Sequence, residues 1–396
     1  MRWGWPRPGG ALVAVLALAA LACGPGAGSS AGAAPPAAPG AMQAPAAGGA
    51  SAPPGPADAG WQAEWERTVA AARQEGRLFV SAPVGDVWRR ALMAFQEDYP
   101  DIALEATGFN SRDFWPRVLQ ERQNGQYLWD LRIGGPDPLV YESIHEGVLE
   151  PVRPLLILPE VTDESKWLEG LEGSFLDEKR QYLLSFFAYT TSPADVNREQ
   201  VAESELRSDG DLLDPRWRGR VSVQSPRGGS GLLSLSVLVV AYGEDYVREL
   251  MTRQEAMVTE DSRQQAEWLV RGRYPVAIGT ASAQLLRFQQ QGLGQRVEAL
   301  SGKYTGITSG VGGIQLVNRA PHPNATRLFV NWILTPRVQE RLAKETELNS
   351  RRLDVAPGDP ARLPDRARLD QYVPTQAERH MPVVERTLRM VTEITR

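Results

Sequence analysis

Val221-Ser222-Val223-Gln224-Ser225-Pro226-Arg227-Gly228-Gly229-Ser230-Gly231, followed by the apolar run Leu232 to Tyr242 and Gly243, is the stretch that decides the fold. Its first residues alternate apolar and polar with β-branched valines, the pattern of a strand. The glycine-rich middle suits a loop, and the run after it is long and apolar enough for a buried helix closed by Gly243. At such a helix start four backbone N–H groups lack partners within the helix, and the dipole there favours negative charge. Arg227 sits in the same loop, with a guanidinium able to fork onto a carboxylate or phosphonate.

Upstream, the chain repeats this unit. Leu78 to Ser81, Ile102 to Thr107 and Asp130 to Ile133 are expected strands. Each runs into a polar loop and then a helix; Asp86, Asn110 or Ser111, and Asp137 are the expected caps, the last with Pro138 in the first helical position. Strand–loop–helix alternation implies a parallel sheet flanked by helices, with ligands at the carboxyl ends of the strands. Leu183 to Thr191 reads as one buried strand. Beyond the opening unit, Ser262 with Gln265 forms a capping box, and Pro275 to Ile278 is a strand followed by Gly279-Thr280-Ala281-Ser282 and a helix. Ser301 to Gly312 is expected to be loop, Gly313 to Val317 a strand, Asn324 a helix cap and Val383 to Ile394 a terminal amphipathic helix.

The N-terminus has a separate purpose. Arg2 and Arg7 precede Ala11 to Ala22, an apolar run too short to span a bilayer but laid out as an export leader over residues 1–22. Leu18-Ala19-Ala20-Leu21-Ala22-Cys23 then presents the chain's single cysteine, placed for lipidation. Residues 23–60 are almost wholly Ala, Gly, Pro and Ser, a composition that buries no apolar surface and makes an extended tether. The 43 basic residues fall to 41 once Arg2 and Arg7 leave, against 48 acidic, so the mature chain carries −7. No basic cluster interleaved with aromatics appears, which argues against nucleic acid as a partner.

The motifs of several chemistries are missing. His145, His322 and His380 are far apart and none lies in a metalloprotease frame. Cys23 belongs to the export signal. Gly228-Gly229-Ser230-Gly231 lacks the spacing of a nucleophile elbow, and no phosphate-loop lysine frame occurs. No cofactor site is expected, and the expectation is a binding protein rather than an enzyme.

Several segments together resemble the bacterial ABC-transporter solute-binding proteins of the type II periplasmic fold, in the ferric-iron and phosphonate branch. They are the lipobox and tether, Asp214-Pro215-Arg216-Trp217-Arg218-Gly219-Arg220-Val221, Ser225 to Gly231, Gly272-Arg273-Tyr274-Pro275-Val276-Ala277-Ile278-Gly279, Gly312 to Val317 and Ala320-Pro321-His322-Pro323-Asn324-Ala325. The resemblance implies an α/β chain of two lobes, each a mainly parallel sheet flanked by helices. Residues 61–188 plus 312–396 would form lobe 1 and residues 189–311 lobe 2, with crossovers near Leu183–Pro193 and Tyr304–Gly313 and a cleft between. It also implies a monomer, exported and lipid-anchored at Cys23 on the outer face of the cell membrane, that delivers a small solute to an ABC permease.

Ferric members place an adjacent tyrosine pair where this chain has Ser282-Ala283-Gln284, and no two of its tyrosines are adjacent. The expected solute is therefore an oxyanion such as a phosphonate or carboxylate. Iron or an iron chelate, or a cationic thiamine- or polyamine-like solute, stands as the alternative; an enzyme or signalling lipoprotein on the same fold is the alternative of another class. The expected contacts from lobe 2 are Ser225, Arg227, Gly229, Ser230, Thr280, Ser282 and Tyr304. Those from lobe 1 are Ser81, Gly85, Asn110, Ser111 and Gly135, with Tyr141 as a further cleft residue.

Overall fold

The computed structural model describes residues 58–227 and 229–395. The leader, Cys23 and the tether up to residue 57 lie outside the described residues, as does Gly228. The first part runs α1 (Asp58–Glu75), β1 (Arg77–Ala82), α2 (Asp86–Asp98), β2 (Ala103–Gly108), α3 (Ser111–Gln123), β3 (Leu131–Gly134), α4 (Pro138–His145), β4 (Leu149–Glu150) and α5 (Pro159–Thr162). Next come β5 (Leu183–Ser185), β6 (Tyr189–Thr191), β7 (Ala194–Asn197), β8 (Val221–Gln224), α6 (Gly229–Tyr242), α7 (Glu244–Thr252) and β9 (Met257–Thr259). Then follow α8 (Ser262–Val270), β10 (Val276–Ile278), α9 (Ser282–Gln290), β11 (Val297–Ala299), β12 (Thr305–Thr308) and β13 (Gly313–Val317). The chain closes with α10 (Pro323–Leu334), α11 (Pro336–Thr346), β14 (Tyr372–Val373) and α12 (Met381–Ile394).

These strands make two principal sheets. One has the order β2-β1-β3-β13-β4 with β5 also on β13; the other has the order β11-β7-β10-β8-β9. In the first, only β13 runs against its neighbours, and in the second only β7 does. Each reversed strand is the one the chain enters after passing through a small third sheet, β14-β12-β6. β6 leads to β7 and β12 leads to β13, so the two passages between sheets set both reversals. The mainly parallel character expected from strand–helix alternation holds, with one exception per sheet.

Layers close on both sheets. Leu78, Val80, Ile133 and Ile314 pack with Phe95, Phe329 and Trp332, the Phe95 ring meeting each of the other two edge-on at 5.2–5.3 Å. The other face of that sheet holds Phe114, Trp115, Trp129 and Tyr141. In the second sheet Val196, Val221, Val223 and Ile278 pack under Leu235 and Leu238 of α6 and Val247 of α7.

Several local expectations are corrected. Leu183 to Thr191 is two strands, because β5 joins the first sheet while β6 pairs with β12 in the passage between sheets. The segment 301–312 contains β12 rather than loop alone. Ser262 does not cap α8; Asp261 does, its carboxylate accepting from the Arg263 and Gln264 amides at 2.9 and 3.0 Å. A carboxylate reaches two amides where the serine had been expected to reach one. Gln265 instead donates to the Ile278 carbonyl at 2.9 Å. Asn324 lies inside α10, whose first amides are held from another helix: Glu75 accepts from Asn324 and Ala325 at 3.1 and 2.7 Å. Asp86 is the first residue of α2 rather than its cap, which is Gly85. The C-terminal helix α12 packs on α6 and α7, with Met390 and Val391 in the second sheet's core, whereas sequence had placed 312–396 wholly with the first lobe.

Candidate functional site

The end of β8 and the start of α6 are built backbone against backbone. A Cβ on Gly231 would stand 2.2 Å from the Gln224 carbonyl oxygen, and one on Gly279 would stand 2.7 Å from the Gly231 Cα. Glycine at both positions lets the β8–α6 turn lie directly against the end of β10. Ser230 Oγ fastens the join by donating to the Gly279 carbonyl at 2.6 Å. Ser225 is held to β9 by its amide, which donates to the Thr259 carbonyl at 2.8 Å. Arg227 is exposed beyond it, and Gly229 opens α6 at a φ of 60°. Thr280 Oγ1 is buried and faces the Asp195 carboxyl, whose charged form it favours. Ser282 is exposed in the first turn of α9, a helix whose N-cap, Ala281, makes no side-chain bond. Asp195 of β7, paired with Ala277 in β10, belongs to the same end of the sheet; burial pushes its carboxyl up to about 7.

The first sheet presents a matching end. Ser81 is buried on β1, with its Oγ unpartnered among the described residues, and has Thr107 and Arg132 as cross-strand neighbours. Arg132 is 4% exposed. Its guanidinium stands 5.7 Å from the Phe114 ring centre, its Nη1 lies 3.5 Å from Gln315 Oε1, and its Nε has no partner among the described residues. Burial lowers its pKa to about 10, a loss that the Asp137 charge partly offsets. An arginine taken from water without a carboxylate in contact is a costly arrangement. Gln315 reaches past it to donate to the Gly134 carbonyl at 3.0 Å.

Gly134 and Gly135 are both needed at this place. A Cβ on Gly134 would coincide with the guanidinium, 1.4 Å from Nη1, and one on Gly135 would meet the Gly310 carbonyl oxygen at 2.4 Å. Nearby, Ser111 Oγ is buried without a partner among the described residues, and Asn110 caps α3 by position only, with no side-chain bond. Gly85, at a φ of 128°, stands before α2, likewise with no side-chain cap. The loops after β1 and β2 enclose a cavity of about 250 Å³ bounded by Pro83, Gly85, Asp86, Arg89 and Gly108.

The structure thus gathers Ser225, Arg227, Gly229, Ser230, Thr280 and Ser282 at one sheet end, and Ser81, Gly85, Asn110, Ser111 and Gly135 at the other. Asn110 and Ser282 do not spend their side chains as caps, whereas Asp137 does, accepting from the Val140 amide at 3.2 Å. Tyr141 is not free to face a solute: it is buried and its hydroxyl donates to the Gln376 carbonyl at 2.6 Å. Tyr304 stands at the start of β12 beneath the Lys303 ammonium, 5.4 Å from its ring centre. Leu232, one turn into α6, belongs to one buried cluster with Phe114, Trp115, Tyr141, Met381 and Val384, giving the two sheet ends a shared apolar support. Arg132 was missed by the sequence reading. The signal was present: a charged residue between Leu131 and Ile133, in a short apolar strand that runs into Gly134-Gly135.

No family model matches the chain. An uncharacterized protein of Haemophilus influenzae is 23% identical over 280 residues, covering 69% of this chain and 77% of that protein. Among solved structures, Trichodesmium IdiA (FutA) in complex with iron and citrate superposes with a TM-score of 0.61 at 13% identity, over 81% of this chain and 99% of that one. Iron-bound HitA from Pseudomonas aeruginosa gives 0.60 at 17% identity, over 80% and 99% of the two chains. The ferric binding protein from Campylobacter jejuni gives 0.61 at 14% identity, with the same coverage. The fold is that of the two-lobed type II periplasmic binding proteins.

Proposed function

We propose that the chain is the solute-binding receptor of an ABC importer, exported and lipid-anchored at Cys23, and that it carries an oxyanion-bearing solute between lobes 61–188 plus 312–396 and 189–311. The receptor is a monomer that hands its solute to a membrane permease, with α12 crossing from the first lobe to pack on α6 and α7 of the second. It binds and releases without chemistry.

The observation that carries the reading is Arg132, a buried guanidinium at a strand end with no carboxylate in contact and Nε unpartnered among the described residues. An oxyanion arriving there supplies the partner that the fold withholds. Ser81 offers a hydroxyl beside it, and Ser111 another at the same end of the sheet. The start of α9 and the Arg227 loop offer donors from the other sheet.

The solved neighbours weight the choice of solute. Two of those described above hold iron, one of them together with citrate, and the third is named a ferric binding protein. The iron reading gains more from them than a metal-free phosphonate does. A ferric–carboxylate chelate satisfies both lines: iron is the cargo, and its carboxylates are the groups that arginines and helix starts hold.

Calorimetric titration of the full chain with ferric citrate, citrate alone, inorganic phosphate, aminoethylphosphonate and spermidine tests this. Ferric citrate is expected to bind most tightly, and Arg227→Ala to weaken it by about 1.5–3 kcal/mol, the worth of a hydrogen bond to a charged group. Binding of spermidine in preference to every anion would overturn the reading, as would no binding of any anion.

A further inference from the structure

A second cavity lies apart from the strand-end loops. It encloses about 400 Å³ between the segment from Glu169 to Arg180, Ile307 of β12, and Tyr372 to Arg379. None of the residues assigned above to the solute site lines it. Two of its walls belong to the small sheet through which the chain passes between lobes, since β12 pairs with β14.

Its buried charge is Arg351, 4% exposed. Nε donates to the Phe187 carbonyl and Nη1 to the Gly173 carbonyl, each at 3.3 Å. The nearest carboxylate, Glu169 Oε2, stands 3.8 Å away, beyond hydrogen-bond reach. Nη2 has no hydrogen-bond partner among the described residues. Two carbonyl bonds fix the plane of the guanidinium, and its one ion partner among the described residues, the exposed Glu169, offsets the buried charge only in part.

No acidic group nearby hydrogen-bonds the guanidinium. Asp177 is consumed by the amides of Gln181, Tyr182 and Leu183 at 2.9–3.0 Å. Glu172 is engaged by Arg153 and Arg180. Glu169 and Glu178 are exposed, where solvent and salt screen them. Arg379, also exposed, adds a second cation at the rim, and the remaining wall is apolar, formed by Phe175, Leu176, Leu369 and Tyr372.

We propose that this cavity is a second binding site, for a small carboxylate with an apolar or aromatic body. Its carboxylate faces Arg351 and Arg379, and its body lies on the Phe175, Leu369 and Tyr372 wall. The site is independent of the strand-end solute site.

Benzoate is the probe, with benzylamine as its cationic counterpart, titrated into the full chain by calorimetry or saturation-transfer NMR. Saturable benzoate binding is expected, retained in Arg227→Ala. It should be at least tenfold weaker in Arg379→Glu, which alters an exposed side chain, and in Leu369→Trp, which fills the cavity. Both variants should unfold at the temperature of the parent chain. Benzoate affinity within twofold of the parent in both variants would overturn the proposal. So would the absence of saturable binding to the parent, or tighter binding of benzylamine than of benzoate.

Discussion

Arg132 and Gln315 are register partners across β3 and β13, and Gln315 is the only side chain that approaches the Arg132 guanidinium as an acceptor among the described residues, at 3.5 Å. Gln315 spends its amide nitrogen on the Gly134 carbonyl, so its oxygen is held toward Nη1. A neutral amide at that distance orients a guanidinium without neutralising it. The pair therefore keeps a buried positive charge at the end of β3.

Replacing that charge separates stability from binding. Arg132→Met removes a buried cation while keeping a long apolar side chain, a change that is neutral or stabilising when the cation had no ion partner. The melting temperature of the variant is expected to equal or exceed that of the parent, while affinity for ferric citrate falls by about 1.5–3 kcal/mol. A variant that unfolds earlier and still binds normally would make Arg132 structural.

Gly134→Ala tests the same guanidinium from the backbone side. The new methyl falls 1.4 Å from Nη1, and the clash is relieved by moving the end of a flexible side chain. The expected result is a folded protein with affinity reduced about tenfold, about 1.4 kcal/mol. Titration of the purified variant, with its circular dichroism as the check on folding, decides it.

At the other sheet end the steric conflict is with backbone. Gly231→Ala places a methyl 2.2 Å from the Gln224 carbonyl oxygen and 2.5 Å from that of Ser225, neither of which moves without shifting the β8–α6 turn. Denaturant unfolding is expected to show a loss of about 1–3 kcal/mol, the cost of overpacking. Unchanged stability would mean that the turn is looser than its backbone contacts indicate.

Two carboxyls on or beside the second sheet, Asp209 buried and Asp195 half-buried, make stability fall with rising pH. Burial raises Asp195 to about 7, and burial raises Asp209 to about 6 although the Tyr242 hydroxyl donates to it at 2.5 Å. Both values lie above the ordinary 3.8, so the folded state takes up protons that the unfolded state does not. Their contribution is fully present below about pH 4 and is lost as pH rises through 6 for Asp209 and 7 for Asp195. Urea unfolding at pH 4.5 to 8 should show Asp195→Asn gaining on the parent as pH rises, with the gap levelling above pH 7. A gap that is constant across the range would remove Asp195 from the effect.

The sequence by itself determined the α/β units and where their loops fall. Strands such as Leu78 to Ser81 and helix starts such as Asp137-Pro138 declare themselves within a few residues, through side-chain period, capping chemistry and proline's fixed φ. The glycine-serine loop after Val221 was legible for the same reason, as was the set of strand-end residues, because a strand followed by a helix puts its loop at one edge of the sheet.

Only the tertiary structure decided what depends on partners far along the chain. Glu75 caps α10 across about 250 residues, and α12 returns to the second sheet's core to bury Met390 and Val391. Leu183 to Thr191 divides between two sheets according to whether β13 or β12 lies beside it. Arg132 carries the same lesson for the site. Its type and place were visible, but whether a carboxylate stands against it is set by β13, 183 residues away, and β13 brings a glutamine.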